Sequence, residues 1–528
     1  MTLDLRSLAA FRMAIGAIVC ADALLRTRDF GLMFGADGMF PIAVLRQHYG
    51  DHWAWSLAFF FDADWWSAAV LALEGIAGLL LAAGLGTRWA TIAAWTAVVS
   101  VVRRTAPATN AGDLMLCCLL FWGMFLPLGA VWSVDSRLRR RQPKAAGVTE
   151  TQISSIASLA LVLQIAAVYL SAGLAKWNGS WLSGDAIAYA LSLHDHGTPL
   201  GSRLAACGPV VRLLTWGVVA TETIAPCLLV AVPYPPVRLA LALLFIAFHA
   251  AVALLMTVGL FASVGMAAWL AVLPGFFWDW LARPRHFRLD LVFKPRLGRI
   301  DAGAAEVSSR WLFLRSRSEK SKCSSSFRRP RRSASGVFGA AVSWPEWLCG
   351  ACLVVAAVSF LHVNTFCRDF PLPRPLAAVV NLCCLGQDWS MFGDVPRQQQ
   401  WVYGRAELAD GRVVDLLRGG RPLEAVLPAG GFSSLPHHRW HKIFWELPKP
   451  SERIFSPSIA AAIAQEWNQT HPESARAKSL EIRFARITSD PQEGTLHELL
   501  LATWPPRGAR GSGNLDRLLE AQRSLLDK

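Results

Sequence analysis

Residues 161–191 read LVLQIAAVYLSAGLAKWNGSWLSGDAIAYAL, and they include an apolar helix that stops at a lysine. We predict this helix over residues 155–175, which is long enough to cross the hydrocarbon core of a bilayer. Tyr169 and Lys176 are seven residues apart, so both project from one helix face. A cation at this depth is costly unless it lines a cavity or reaches the interface, so Lys176 is a candidate functional residue. Small residues precede it and let a neighbouring backbone approach, namely Ser171, Ala172, Gly173 and Ala175.

The composition predicts a membrane protein with a soluble part. Of 528 residues, 53% are hydrophobic and only 17% are charged, whereas about a quarter are charged in ordinary soluble proteins. The net charge is +14, and residues 283–344 hold 15 Lys and Arg against four acidic residues. A basic loop beside membrane helices indicates topology first and contact with anionic lipid second. We therefore expect a lipid bilayer as partner and no nucleic acid.

Apolar segments define the predicted fold class, a polytopic α-helical membrane protein of about 8–9 spans with a small C-terminal α+β extramembrane domain. The predicted spans are 8–25, 66–86, 89–102, 113–131, 155–175, 213–232, 237–258, 259–281 and 346–364. The predicted units are a transmembrane bundle (1–282), a basic, disordered cytoplasmic loop (283–344), a last transmembrane helix (345–365) and an extracytoplasmic domain (366–528).

The basic clusters predict the orientation of the chain. Residues 137–144 and 283–332 fall on one side if the N-terminus is cytoplasmic, and the C-terminal domain is then extracytoplasmic. The Ala-, Arg- and Gly-rich composition is typical of a GC-rich bacterium, so the expected location is a bacterial inner membrane.

Ionisable side chains inside the predicted spans indicate a second feature, an outward-facing polar cavity near Lys176. Charged groups within a membrane usually face the bundle interior or water. The other candidates for this cavity are Asp22, Glu74, Asn110, Asp113, Tyr169, Glu222 and His249. The alternative is that each of them only joins two helices by a hydrogen bond. For Lys176, the alternative is an anchor at the membrane interface beside Trp177 and Trp181.

The C-terminal region carries strand and turn signals. Asp410-Gly411 lies between two β-rich runs and predicts a hairpin, followed by a helix near 458–469 and a strand near 480–487. His437, His438 and His441 lie close together, but without a Cys or carboxylate at ligand spacing they indicate a solvated loop rather than a metal site. No metal is expected.

The cysteines allow two interpretations. Cys349 and Cys352 form a CxxC within an apolar helix, where small buried residues are the expected role. One disulfide remains open among residues that could face an oxidising compartment, namely Cys207, Cys367, Cys383 and Cys384.

Short motifs recur in a fixed order along residues 4–281. They are Asp37-Gly38 with Pro41, Asn110, Trp132-Ser133-Val134-Asp135, Gln164-Ile165, Tyr169, Ala172-Gly173, Lys176, Trp181, Gly184, Phe248-His249, Gly259-Leu260-Phe261 and Leu273-Pro274 with Phe277-Trp278. In this order they resemble the HTTM (horizontally transferred transmembrane) family, which includes the vitamin K-dependent γ-glutamyl carboxylases.

The resemblance implies a reaction. In the carboxylases, the lysine that matches Lys176 is regarded as the base that deprotonates reduced vitamin K. The deprotonated quinol reacts with O2, the product removes a γ-proton from a substrate glutamate, and the carbanion takes up CO2. Reduced vitamin K or menaquinol, O2 and CO2 are thus the implied co-substrates. The animal enzymes have Asn-Asn-His at the start of the fourth span, where this chain has Asn110 but no histidine.

Two functions follow as hypotheses. The first is a quinol-dependent epoxidase or carboxylase that acts on glutamate of an exported protein or peptide. The second is a non-enzymatic membrane scaffold or maturation factor for an exported partner. A transporter is a third alternative, although no paired broken helices and no inverted repeat are visible in the sequence. The oligomeric state is left open.

Overall fold

The architecture was obtained from a computed structural model, which describes residues 1–50, 53–140, 151–192, 196–283, 344–365, 370–395, 398–423, 428, 431–488 and 496–506. Most of the predicted basic loop and Cys367 lie outside these residues. The helices of the N-terminal half are α1 (Leu5–Arg26), α2 (Phe30–Phe34), α3 (Ile42–Tyr49), α4 (Asp64–Ala83), α5 (Thr87–Arg104), α6 (Ala111–Gly123), α7 (Val134–Arg140), α8 (Ile156–Ala175), α9 (Gly179–Leu182), α10 (Ala186–Ser192), α11 (Pro199–Ala205), α12 (Gly208–Ala231), α13 (Pro235–Leu255), α14 (Phe261–Leu270) and α15 (Gly275–Ala282).

The remaining elements follow the basic loop, apart from two short strands near the N-terminal helices. The helices are α16 (Trp344–Asn364), α17 (Arg374–Cys383), α18 (His438–Glu446) and α19 (Ser456–Thr470). The strands are β1 (Thr2–Asp4), β2 (Gln152–Ser154), β3 (Gln398–Leu408), β4 (Val413–Asp415), β5 (Arg421–Pro422), β6 (Ala477–Thr488) and β7 (Leu496–Trp504).

The apolar helices make the chain a multi-pass membrane protein. In the described part of the chain, six helices are long and apolar enough to cross a membrane, and these are α1 with its continuation into α2, α4, α8, α12, α13 and α16. The predicted 259–281 span is divided into α14 and α15, which are bent by 92° at a break that contains Pro274, so whether it is one broken span stays a prediction. The predicted 113–131 span is also shorter, since α6 ends at Gly123. The count of eight or nine spans stays a prediction.

Local signals fix where α8 begins. Ser155 is its N-cap, and the Ser155 and Ser158 side chains each accept a hydrogen bond from the other residue's backbone N–H. This capping box satisfies amide groups that the first turn leaves without helical partners. The predicted helix therefore forms, with its first helical residue at Ile156.

Contacts between helix ends define two opposite faces of the bundle. On the N-terminal face, β1 pairs with β2, and Arg238 of α13 donates to the Thr2 carbonyl oxygen at 2.8 Å. On the opposite face, Arg26 at the end of α1 lies beside Arg439 of the C-terminal domain, with Asp22 and Asp113 between them. We call this second side the domain face. Assigning the two faces to compartments remains a prediction.

The C-terminal domain is built on a five-stranded antiparallel sheet with strand order β5-β4-β3-β6-β7. The predicted hairpin at Asp410-Gly411 is confirmed, because β3 and β4 pair on either side of it. The predicted helix and strand are also confirmed as α19 and β6. The apolar core of this domain continues into the bundle's domain face, where Phe40 packs against Phe455 with ring centroids 5.6 Å apart.

One part of the predicted 366–528 domain packs inside the bundle. We call residues 374–393 the inserted segment. Leu385 and Trp389 are at most 1% exposed and belong to the core of the bundle. The side-chain amides of Gln387 and Gln164 exchange hydrogen bonds of 2.9 and 3.0 Å, which satisfies both groups in an apolar layer. The bundle is thus completed by residues from the C-terminal part of the chain.

Candidate functional site

Lys176 lies in a buried ion pair at the end of α8. Its side chain is 3% exposed, and its Nζ is 2.7 Å from Glu222 Oε2. Nζ also donates to the carbonyl oxygens of Ala172 at 3.2 Å and Met391 at 2.8 Å, and it lies 5.1 Å from the centre of the Trp181 ring. The alternative of an exposed anchor at the interface is therefore wrong, because the ammonium group is enclosed by protein.

Close packing of α8 on α12 brings Glu222 to the lysine. A Cβ at Gly173 would lie 2.7 Å from the Glu222 carbonyl carbon, so only glycine allows the two backbones to approach this closely. This confirms the expectation that small residues before Lys176 admit a neighbouring backbone.

Enlarging Gly173 should separate the two helices. We expect Gly173→Val to lower the free energy of unfolding by about 1–3 kcal/mol, because the added methyl groups meet backbone atoms that cannot move cheaply. Gly217→Val on α12 is the matched control, since a Cβ there has no heavy atom within 4 Å. Thermal melting of the detergent-solubilised protein, followed by tryptophan fluorescence, measures both. Equal melting temperatures for the two variants would contradict the close contact.

Tyr169 and His249 form a second buried pair, between α8 and α13. The Tyr169 hydroxyl lies 2.7 Å from His249 Nε2, and both side chains are at most 2% exposed. Phe245 and Trp269 stack on each other at 4.3 Å and enclose the tyrosine. Tyr169 and His249 therefore share a hydrogen bond that is surrounded by aromatic side chains.

Asp22 and Asp113 belong to a third cluster, which joins the bundle to the C-terminal domain. Arg439 donates to Asp22 at 2.6 Å and to both Asp113 oxygens at 3.1 Å, and Arg26 bonds the same two carboxylates. All four side chains are at most 7% exposed. Glu74 is fully buried beside Asp22. Asp113 also completes a capping box with Asn110 at the start of α6.

The structure does not bring the predicted polar residues into a single cavity. It places them in the two pairs and the cluster just described, and of these predicted residues only Asn110 lines the large pocket on the domain face. This domain-face pocket has a volume of about 620 Å³ and lies between the bundle and the C-terminal domain. Its lining residues are Asn110, Ala111, Leu114, Ala190, His196, Thr257, Val258, Phe261, Asp388, Ser390, Met391, Phe392, Asp394, Val395, His438, His441, Lys442, Trp445 and Lys449.

Lys176 contacts the wall of this pocket from within the bundle. Met391, whose carbonyl oxygen accepts from Lys176, lines the pocket, and so does Phe392, whose carbonyl oxygen accepts from Trp181 at 2.8 Å. The inserted segment therefore separates the buried ion pair from the pocket by one layer of backbone.

Three histidines line the domain-face pocket. His196 is not among the residues singled out from the sequence, and the prediction for His438 and His441 is a solvated loop. The HHRWH motif is not a solvated loop: α18 begins at His438, and His441 is 5% exposed, with its ring 4.4 Å from that of His196. Burial lowers the pKa of His196 and of His438 to about 4, and the pKa of His441 lies well below its ordinary value for the same reason. All three imidazoles are thus neutral at pH 7.

A sequence signal for this burial was present. Apolar residues recur at positions 440, 443, 444 and 447, which is the spacing of one helix face, and all four side chains are buried. His441 lies on the same helix, α18, whose apolar face packs against the core. The helical pattern of the neighbours, rather than the histidines themselves, indicated the fold of the motif.

The low pKa of His196 predicts a pH-dependent stability. The pKa is 6.5 without burial and about 4 in the folded protein, so the unfolded chain binds more protons between these values. The contribution of neutral His196 to the free energy of unfolding is fully present above pH 6.5 and is lost as the pH falls towards 4. We expect the free energy of unfolding to fall by about 2 kcal/mol for one such histidine between about pH 7 and 5.

Thermal melting at several pH values checks this expectation. His196→Gln should make the pH dependence less steep by the share of one histidine, since His438 and His441 keep their contributions. His497→Gln, at an exposed position of β7, should retain the full dependence. An unchanged slope in His196→Gln would show that His196 does not carry the effect.

A second cavity lies among the spans. It has a volume of about 440 Å³ and is lined by residues of α8, α12 and α16, with apolar side chains on nearly every side. Gln164, Gln387 and the Trp122 indole provide the polar edge. We call it the intramembrane groove. No group of three or more His, Cys, Asp or Glu side chains is arranged to hold a metal ion in the described ranges.

Comparison with known proteins gives one match. A family model described as the HTTM domain matches residues 2–278, which is more than half of the chain and contains α1–α14. Neither the curated proteins nor the solved structures contain a match.

Proposed function

Because this chain belongs to the HTTM domain family, we propose that it is a membrane enzyme that oxidises a lipid quinol and modifies glutamate in an exported protein or peptide. Reduced vitamin K or menaquinol, with O2 and CO2, are the proposed co-substrates. The proposed location is a bacterial inner membrane, with the N-terminal face in the cytoplasm and the domain face outside.

The observation that carries this proposal is the buried Lys176–Glu222 pair at the wall of the domain-face pocket. Passage of one proton from Lys176 Nζ to Glu222 Oε2 converts the ion pair into an amine and a carboxylic acid. The transfer neutralises both groups at once, so it leaves no unpaired charge in the buried site. An unpaired charge is the state that a low dielectric makes most costly. The resulting neutral Nζ can accept a proton from an acidic hydroxyl, which is the role of a general base.

The residues of the intramembrane groove fit a lipid quinol. Its apolar walls from α8, α12 and α16 suit an isoprenoid tail, and the paired amides of Gln164 and Gln387 give the groove one polar edge. The quinol, when bound, supplies the electrons that reduce O2. Leu170 of α8 and Pro226 of α12 line the groove, and the same two helices carry Lys176 at the C-cap of α8 and Glu222 within α12. The groove and the ion pair therefore lie along the same two helices, which supports a link between them.

The domain-face pocket fits a polar peptide side chain. Asn110, the neutral histidines and Lys442 offer hydrogen-bond partners for a carboxylate, and Phe261 and Trp445 offer apolar contact. The wall of Met391 and Phe392 keeps bulk water from the ion pair, which strengthens electrostatic effects there.

The test is a reaction in membranes that contain the full chain. Reduced vitamin K or menaquinol, O2, a glutamate-containing peptide and labelled CO2 are supplied, and quinone epoxide and fixed label are measured separately. Formation of both supports the full proposal. Epoxide without label restricts the function to quinol oxidation, and neither product from folded protein overturns the proposal.

A non-enzymatic scaffold is the second candidate, and one observation favours it. The Asp22, Asp113, Arg26 and Arg439 cluster fixes the C-terminal domain to the bundle without using Lys176. A scaffold would bind an exported partner in stoichiometric amount, and Lys176→Met would leave that binding unchanged. Affinity purification from detergent, with both proteins quantified, distinguishes the two candidates.

A further inference from the structure

Two consecutive cysteines at the end of α17 reach cysteines on two different helices. The Cys383 thiol contacts the Cys352 thiol of α16, and the Cys384 thiol contacts the Cys117 thiol of α6. The thiols are not bonded to one another in the structure. The Cys118 thiol in addition donates to the Cys384 carbonyl oxygen at 3.4 Å.

The backbone at Cys384 is the reason that the neighbouring thiols diverge. Cys384 is the C-cap of α17 and has φ 53° and ψ 46°, in the left-handed region that favours glycine. The helix ends there, so Cys384 does not follow the direction that Cys383 takes towards α16.

We propose that these residues form two disulfides, Cys352–Cys383 and Cys117–Cys384, which fasten the inserted segment to α16 and α6. Each bond forms by thiol–disulfide exchange with a disulfide-bearing oxidant, either a small molecule such as oxidised glutathione or an oxidoreductase. Two protein thiols lose two protons and two electrons as the S–S bond forms, and the oxidant's disulfide becomes two thiols.

The surroundings give an oxidant access to one thiol of each pair. Cys383 is partly exposed, and Cys384 lines a cavity of about 460 Å³ together with His48, Tyr49 and Arg103. Cys352 and Cys117, in contrast, are at most 5% exposed. The accessible thiol first forms a mixed disulfide with the oxidant. The buried thiol then attacks the protein sulfur of that mixed disulfide, releases the oxidant's second thiol and closes the protein disulfide.

The pairing differs from the single disulfide that the sequence left open among Cys207, Cys367, Cys383 and Cys384, because it brings in Cys117 and Cys352 as partners. It also gives Cys352 of the CxxC a partner outside its own helix. The inference is independent of the proposed enzymatic function, since it concerns only how the inserted segment is held.

Counting free thiols tests the inference. The purified full chain is treated with oxidised glutathione or with a reductant, alkylated after denaturation, and analysed by intact mass and peptide mapping. We expect cysteines 117, 352, 383 and 384 to lose alkylation in the oxidised sample, with cross-linked peptides joining 352 to 383 and 117 to 384. Full alkylation of these four, or disulfides between other cysteines, would overturn the inference.

Variants keep the result interpretable. Cys384→Gly suits the left-handed backbone, so the segment keeps its turn, and only the 352–383 cross-link should remain. Cys383→Ser should leave only the 117–384 cross-link. Cys207 and Cys227 are exposed and act as internal references, because a thiol without a protein partner gains at most a mixed disulfide with glutathione, which adds the mass of glutathione and joins no two peptides.

Discussion

Replacing Arg439 with methionine is expected to lower the free energy of unfolding by about 3–5 kcal/mol, because two carboxylates then lose a buried partner. The arginine reaches from α18 into the bundle, where it is 3% exposed and bonds Asp22 and Asp113. Burial lowers its pKa, but the two carboxylates raise the pKa of Arg439 above the ordinary value, so the guanidinium is charged. Methionine fills a similar volume and removes only the charge and its hydrogen bonds.

The first observable consequence is release of the C-terminal domain from the domain face. We expect earlier loss of tryptophan fluorescence on heating in detergent, together with faster proteolysis between the inserted segment and β3. Arg483→Met is the matched control, since Arg483 pairs with Glu481 and Glu498 at the surface and is 30% exposed. An exposed pair of this kind contributes about 1 kcal/mol or less.

A double variant separates charge imbalance from lost packing. Adding Asp113→Asn to Arg439→Met removes the unpaired negative charge and leaves Arg26 paired with Asp22, so part of the lost stability should return. If Arg439→Met melts like the unmodified protein, or if the double variant is the less stable of the two, the cluster does not hold the domain in place.

Replacing Lys176 with methionine is expected to reduce quinone epoxide formation by about 10²–10⁴-fold, which is the usual contribution of a general base. Lys176 is the cation that can pass a proton to Glu222 within the buried pair, 2.7 Å away. Lys176→Arg is the more informative change, because arginine retains the positive charge but does not release its proton at neutral pH. We expect both variants to show this loss of activity, and Lys176→Arg to be the more stable of the two.

Two controls keep this prediction falsifiable. Lys478→Met changes an exposed lysine of β6 and should retain full turnover. Lys176→Met combined with Glu222→Gln removes the uncompensated carboxylate, so stability should recover while activity stays absent. Turnover in Lys176→Arg would mean that the ion pair is structural and that another group acts as the base.

Several features were predictable from sequence because they depend on residues close together in the chain. The apolar run and the Ser155 cap define α8, and Asp410-Gly411 defines the hairpin between β3 and β4. Asn110 and Asp113 are three residues apart and cap α6 by themselves. The small residues before Lys176 also indicated close helix packing, which Gly173 and α12 provide.

The tertiary structure alone decided which groups share a site. Met391 and Lys176 are 215 residues apart, and Arg439 and Asp22 are 417 residues apart, yet each pair is in hydrogen-bonding contact. Hydropathy and periodicity describe an element and its buried face, but not which distant element covers that face. Lys176 could therefore be recognised from its own helix, whereas its partner Glu222, the inserted segment and the buried histidines required the packing of the whole chain.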